Sequence, residues 1–168
     1  MKTSEETARS WMVERQIESR GVHDEAVLEA MRTVPRERFV QAGYEEFAYD
    51  DTPLPIEEGQ TISQPYIVAV MLEALALKPT DRVLEVGAGS GYAAAVIGRI
   101  ANQVCAIERH RRLAERAQER MATLGYDNVE IVAGDGTLGW PDKAPFDAIA
   151  VAAGGPEGPK PLLEQLAI

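Results

Sequence analysis

Three glycines at alternate positions, Gly87, Gly89 and Gly91, follow the apolar run Val83-Leu84-Glu85-Val86. Such a turn has no side chains on its inner surface, so a ligand can come close to the backbone. The helix expected next points free N–H groups into the same space. That is the entry loop of a nucleotide-type site. The spacing is not the dinucleotide fingerprint, which wants a third glycine where Tyr92 stands. Glu108 ends the next apolar run, about twenty residues beyond Gly87, and a carboxylate there can accept both hydroxyls of a ribose. Asp135, between Gly134 and Gly136, can accept from an adenine amino group or can be an ordinary turn aspartate. Glu85 either orients the glycine loop, meets the far end of the ligand, or bonds only to backbone amides. Ser63, in Ser-Gln-Pro ahead of an apolar helix, reads first as an N-cap with Pro65 in the first turn. No histidine neighbours it in sequence, so a serine nucleophile would lack a visible base.

The remaining reactive side chains read as structural. Cys105 lies inside an apolar strand and is a core residue. His23 and His110 sit at helix starts or on the surface and receive no role. Two separated histidines and one cysteine make no recognisable zinc site, so no metal is expected. Trp11, Trp140 and Phe146 are expected to pack.

The elements that must position these residues follow from periodicity. Thr3 with Glu6 forms a capping box for a helix running to Arg20, with Trp11, Met12 and Ile17 on its period and Gly21 as its stop. A second helix spans Asp24 to about Arg32, with Val27, Leu28 and Met31 inward, and Pro35 ends it. Arg36 to Val40 adds a turn that Gly43 breaks. Residues 1–48 therefore form a helical preface. Residues 49–66 are too rich in proline and turn formers for a regular element, and a long ordered loop of this kind is often functional. A helix follows from Pro65 to Leu75, with Ile67, Val68, Met71, Leu72 and Leu75 as its stripe.

From Arg82 onward, strands alternate with helices. The strands are Arg82–Val86, Val104–Ile107, Val129–Val132 and Phe146–Ala152. The helices are Tyr92–Ala101 and Arg111–Leu124, the latter closed by Gly125. Gly154-Gly155-Pro156 is a loop, and Pro161 to Leu166 starts one more helix. This alternation implies an α/β fold with a doubly wound, mostly parallel sheet and right-handed crossovers. The sequence ends as that helix begins, with no strand after it, so the expectation is one domain, 1–168, whose C-terminal strands are missing.

The 168 residues suit a single domain with a real core, and 45% hydrophobic with 26% charged residues is an ordinary globular balance. Net charge is −10, and no Lys/Arg cluster suggests a nucleic-acid partner. One cysteine excludes an internal disulfide and fits a reducing compartment. The N-terminus Met-Lys-Thr-Ser-Glu-Glu has no apolar signal region, and no run reaches membrane-spanning length. The expectation is a cytoplasmic protein without membrane partners. Its oligomeric state is not readable.

A strand ending in Glu85 and followed by Gly-x-Gly-x-Gly resembles the first motif of the Rossmann-like S-adenosylmethionine methyltransferases. The whole chain, from about Arg9 to Leu166, resembles more closely one family among them, the protein-L-isoaspartate O-methyltransferases. The most specific segment is Gly-Gln-Thr-Ile-Ser-Gln-Pro-Tyr (Gly59 to Tyr66), preceded by Pro-Leu-Pro at 53–55. The Val-Leu-Glu-Val-Gly-Ala-Gly-Ser-Gly-Tyr run, Glu108-Arg109, Gly134-Asp135-Gly136 and Phe146-Asp147-Ala148-Ile149 fall in the family's order.

The resemblance implies a Rossmann-like fold with an N-terminal helical extension. It implies methyl transfer from S-adenosyl-L-methionine to the free α-carboxylate of L-isoaspartyl residues in damaged proteins and peptides, leaving S-adenosyl-L-homocysteine. It implies that Ser63 is the catalytic residue, against the N-cap reading. It implies that Pro65, Tyr66, Glu85, Gly87, Ala88, Gly89, Gly91, Glu108, Arg109, Asp135 and Gly136 contact the cofactor. The loop 49–66 would frame the site, with 67–168 as the core. Three other readings compete: a methyltransferase for another acceptor, a non-catalytic S-adenosylmethionine-binding domain, and an NAD-dependent oxidoreductase.

Overall fold

A computed structural model describes residues 3–154 and 160–167. Helix α1 (Ser4–Met12) starts at Thr3, whose side chain and that of Glu6 exchange bonds with each other's backbone N–H in the expected capping box. It runs on through a π turn (Val13–Ile17) and a 3-10 turn (Glu18–Arg20) and stops at Gly21, which is left-handed at φ 99°. Helix α2 (Glu25–Thr33) is capped by Asp24, whose carboxylate accepts the N–H groups of Ala26 and Val27. Val27, Leu28 and Met31 are buried, as the helical period requires. Trp11 departs from expectation. It is 54% exposed, because Met12 and Val13 take the buried stripe of this helix.

The segment 49–66 is more ordered than its composition implies. Strands β1 (Leu54–Pro55) and β2 (Thr61–Ile62) pair antiparallel, Leu54 opposite Ile62. Glu58 and Gly59 both take positive φ, which closes the turn, and Ile56 N–H reaches Gln60 O at 2.9 Å. Pro55 can belong to such a ribbon because an edge residue needs no donor on its open side. Helix α3 (Pro65–Leu75) buries Pro65, Val68, Ala69 and Leu72, while Ile67, assigned to its stripe, is half exposed.

The main sheet has the order β5-β4-β3-β6 and every pair in it is parallel. Its strands are β3 (Arg82–Val86), β4 (Gln103–Glu108), β5 (Val129–Ala133) and β6 (Ala148–Val151). Helix α4 (Tyr92–Gly98) is shorter than expected, since its last turn tightens through Arg99 N–H to Val96 O and Ile100 N–H to Ile97 O. Helix α5 (Arg111–Leu124) ends at Gly125 as read. The sheet residues alternate between two cores. Val83, Val104, Ala106 and Ala148 join the large core with α2–α5, whereas Leu84, Val86, Cys105 and Ile107 pack with Phe146 and Leu162 on the other face. Cys105 is thus a buried core thiol.

The C-terminal end carries one contact beyond the expected helix. Helix α6 (Lys160–Leu163) is one turn, and Leu166 then pairs in parallel with Phe146 beside β6. Phe146 N–H donates to Gln165 O and Ala167 N–H to Phe146 O, both at 2.8 Å. A strand-like contact therefore follows the helix where none was expected. Phe146 makes that bridge instead of starting the fourth strand, which spans only Ala148–Val151. Of the predicted loop Gly154-Gly155-Pro156, Gly155 and Pro156 lie outside the described residues.

Candidate functional site

Strand β3 has β4 on one side and β6 on the other, so the strand order reverses beside β3. Such a switch point opens a crevice. A cleft of about 520 Å³ lies there, within the range of small-molecule sites. Its floor is Gly87 and Gly89. One wall comes from Glu108, Arg109 and His110 after β4, and from Asp135, Gly136 and Thr137 after β5. The other comes from Gln60 and Thr61 of the hairpin and from Ala152–Gly154 after β6. A smaller recess adjoins it, sharing Thr61, Gly87, Gly89 and Ala152, and adds Ser63, Glu85, Ala88, Ser90 and Tyr92.

The glycines are there for steric reasons. Gly87 has φ 92°, and a Cβ on it would come within 3.1–3.3 Å of Ala152 and Ala153. A Cβ on Gly136 would stand 2.4 Å from Cγ1 of Val86, so only glycine lets this turn lie against β3. The loop is anchored by Gly87 and Ala88, whose N–H groups donate to Ile107 O at 2.9 and 3.2 Å. Gly91 is buried behind the loop against Met121 and Ile131 and does not line the cleft.

Glu108 is buried, and both of its oxygens already hold backbone. Oε2 accepts the Gly89 N–H at 2.9 Å and Oε1 the His110 N–H at 3.0 Å. Each carboxylate oxygen has a second lone pair, which leaves capacity for a vicinal diol. Asp135 Oδ1 accepts both the N–H and the hydroxyl of Thr137, at 3.0 and 2.7 Å. These bonds hold its carboxyl below the usual carboxylate range and make it a turn cap as well as a cleft residue. Glu85 is 1% exposed, and its Oε2 has no partner among the described residues. Burial, reinforced by the negative charge of Glu108, pushes its carboxyl up to about 8. A carboxyl raised this far is mostly neutral at neutral pH.

Ser63 lies in the recess beside Glu85. It is not the helix cap. Gln64 occupies that position without a side-chain bond, and its carbonyl accepts from Ile67 and Val68. Pro65 and Tyr66 lie one turn away but do not line the cleft or the recess. Pro65 is buried at the start of α3, and the Tyr66 ring carries the Arg20 guanidinium 3.6 Å from its centroid.

A model of the protein-L-isoaspartate (D-aspartate) O-methyltransferase family matches residues 7–168. The chain belongs to that family. It is 59% identical over 165 residues to protein-L-isoaspartate O-methyltransferase 2 of Pelobacter propionicus, covering 98% of this chain and 73% of that protein. It is 58% identical over 161 residues to the Brucella anthropi protein-L-isoaspartate O-methyltransferase, covering 96% and 74%. A solved protein-L-isoaspartate O-methyltransferase superposes with a TM-score of 0.85 at 33% identity, over 96% of this chain and 52% of that one. A Plasmodium falciparum chain assigned to the same enzyme, solved with S-adenosyl-L-homocysteine, superposes at 0.80 with 28% identity, over 95% and 79%. The chain thus spans about three quarters of these curated relatives and about half of the first of the two structures.

The cleft and its recess present carboxyl groups over a glycine floor. The carboxylates of Glu108 and Asp135 line the cleft, and the buried Glu85 carboxyl, one oxygen of which has no partner among the described residues, lines the adjoining recess. Gln60 and Thr61 fall in the 49–66 loop expected to frame the site, though neither was singled out; sequence reasoning missed the part His110 plays in holding Glu108, and Arg36, whose guanidinium donates to Ser63 O at 2.8 Å. His110 is placed by its spacing from Glu108. Nothing in the local sequence marks Arg36.

Proposed function

We propose that this chain transfers the methyl group of S-adenosyl-L-methionine to the free α-carboxylate of L-isoaspartyl residues in damaged proteins and peptides, with Ser63 as the catalytic residue. The observation that carries the reading is the continuity of the two cavities. The recess of Ser63 and Glu85 shares walls with the cleft of Glu108 and Asp135 at Thr61, Gly87, Gly89 and Ala152. A nucleoside held by Glu108 and Asp135 would direct its other end to the serine.

S-adenosylmethionine supplies a sulfonium-bound, electrophilic methyl group. The protein's part is placement. The acceptor carboxylate, with an ordinary pKa near 4, is already ionised at neutral pH, so no residue needs to remove a proton from it. Ser63 holds that carboxylate by donating its hydroxyl hydrogen. Glu108 takes the ribose hydroxyls, Asp135 the adenine edge, Glu85 the cationic end, and Arg109 borders the cleft beyond Glu108. Gly87, Ala88 and Gly89 let the ligand lie on backbone, while Pro65 and Tyr66 contribute through the start of α3. Orientation of this kind can supply roughly 7–11 kcal/mol of a barrier at best. In this reading residues 1–48 brace the site, 49–66 frame it and 67–168 carry the cofactor. A cytoplasmic setting belongs to the proposal and rests on the single buried Cys105.

The test is labelled methyl transfer from S-adenosyl-L-methionine to paired peptides, one isoaspartyl and one aspartyl. Transfer to the isoaspartyl peptide alone is expected. Transfer to neither, with S-adenosyl-L-homocysteine still bound, would overturn the reading in favour of a binding domain. Transfer to another acceptor class would keep the cofactor and change the substrate.

A further inference from the structure

Arg36 has 0% exposure and is the largest fully buried side chain, yet it forms no ion pair among the described residues. Burying a cation without a carboxylate is costly, and it is tolerated where its hydrogen bonds are needed. Nε donates to Ala48 O at 2.7 Å and Nη2 to Ser63 O at 2.8 Å. Those carbonyls stand at the two ends of the loop that contains the β1–β2 hairpin. The guanidinium carbon lies 4.8 Å from the centroid of the Tyr92 ring, the first residue of α4. That ring also packs edge-to-face with Phe39, with centroids 5.6 Å apart. One planar group therefore touches the preface, the loop and the helix after the glycine turn.

We propose that Arg36 is a positioning residue for Ser63: its buried guanidinium ties both ends of the 48–63 segment together and so fixes where the serine hydroxyl meets the acceptor. The proposal rests on the reading of Ser63 given above. Ser63 caps no helix, so its conformation is set by the Arg36 bond on its carbonyl and by the pairing of Ile62 with Leu54 before it. The hydroxyl is thereby left for a ligand. Two carbonyls fifteen residues apart in sequence can be held in one plane by a guanidinium fork, whereas a lysine ammonium is a single point without that geometry. A second tie from the preface, Arg20 to Asp51 at 2.5 Å, braces the same loop from the solvent side.

The experiment uses the full chain with Arg36→Lys, Ser63→Ala and the double variant. Each is measured for kcat on the isoaspartyl peptide, S-adenosyl-L-homocysteine affinity and backbone hydrogen exchange. Arg36→Lys is expected to lower kcat by about 100-fold, the scale of a misplaced reacting group. Cofactor-product affinity should stay within about threefold, because the contacts of Glu108 and Asp135 are untouched. Amide protection should fall across 54–62 and stay unchanged in α5. In the Ser63→Ala background the lysine substitution should cost no more than about twofold further, since a residue acting through Ser63 has nothing left to position.

A multiplicative loss in the double variant, an unchanged kcat in Arg36→Lys, or a parallel loss of cofactor-product affinity would overturn the proposal. Full turnover in Ser63→Ala would instead overturn the role of Ser63 itself. Arg36→Gln, neutral and able to reach one carbonyl, takes the place of Arg36→Lys should that variant not fold. A chain that folds with neither assigns Arg36 to stability and overturns the positioning role.

Discussion

Glu108 accepts the Gly89 N–H at 2.9 Å, so the carboxylate at the end of β4 holds the middle of the glycine turn that follows β3. The same carboxylate takes the His110 N–H at 3.0 Å. The residue proposed to bind a ribose therefore also shapes the floor on which that ribose would lie. Glu108→Gln replaces one acceptor with an NH₂ group that opposes a half-buried N–H. We expect a stability loss of about 1–3 kcal/mol, the scale of an unsatisfied buried group. Chemical denaturation measures that loss, and calorimetry with S-adenosyl-L-homocysteine should show weaker binding.

Glu85 gives the chain a pH signature. Its folded pKa of about 8 stands above the ordinary 4.5, so between those values the folded chain keeps a proton that the unfolded chain releases. The resulting stabilisation is fully present below about pH 4.5 and is lost as pH rises through about 8. Glu85→Gln stays neutral and removes this slope. At pH 9 the variant should be more stable than the native chain by on the order of a few kcal/mol. Unfolding curves from pH 5 to 9 for both chains decide it, and parallel curves would mean that Glu85 titrates normally. Cofactor affinity should move the other way, since a neutral amide gives a cation less than a carboxylate does.

Gly136 is committed to its place by Val86. An added methyl would meet Val86 Cγ1 at 2.4 Å. Gly136→Ala should destabilise by roughly 1–3 kcal/mol, as overpacking does. Val86→Ala in the same chain should recover part of that loss, because it removes the colliding carbon. Melting temperatures of the two single variants and the double test this, and strictly additive losses would refute the contact.

Ser63→Ala separates chemistry from binding. The hydroxyl caps no helix, and Ser63 is exposed, so stability should change by less than about 0.5 kcal/mol. Turnover should fall by about 10²–10³, the cost of losing one oriented donor. Product affinity should hold. Rapid-quench methyl transfer beside an S-adenosyl-L-homocysteine titration distinguishes the two, and a variant with native turnover would remove Ser63 from the mechanism.

Local sequence determined much of this protein. The glycine turn, the carboxylates ending β3 and β4, the aspartate after β5, the capping box at Thr3 and the stop at Gly125 depend on backbone conformation and on the next few residues, which are neighbours in sequence. The parallel sheet followed as well, because strands separated by helices have few other ways to pack. Tertiary structure alone decided the rest. The hairpin in 49–66 needed Pro55 to fall on an open edge. Leu166 found Phe146 only once α6 had turned the chain back. Trp11 lost its place in the core to Met12 and Val13. Arg36 and Ser63 are joined across twenty-seven positions by a bond from a side chain to a backbone oxygen, which leaves no trace in periodicity or spacing. The charge state of Glu85 depends on what surrounds it in the fold. Burial and the approach of Glu108 are properties of three-dimensional packing, and that packing turns an ordinary strand glutamate into an acid that holds its proton at neutral pH.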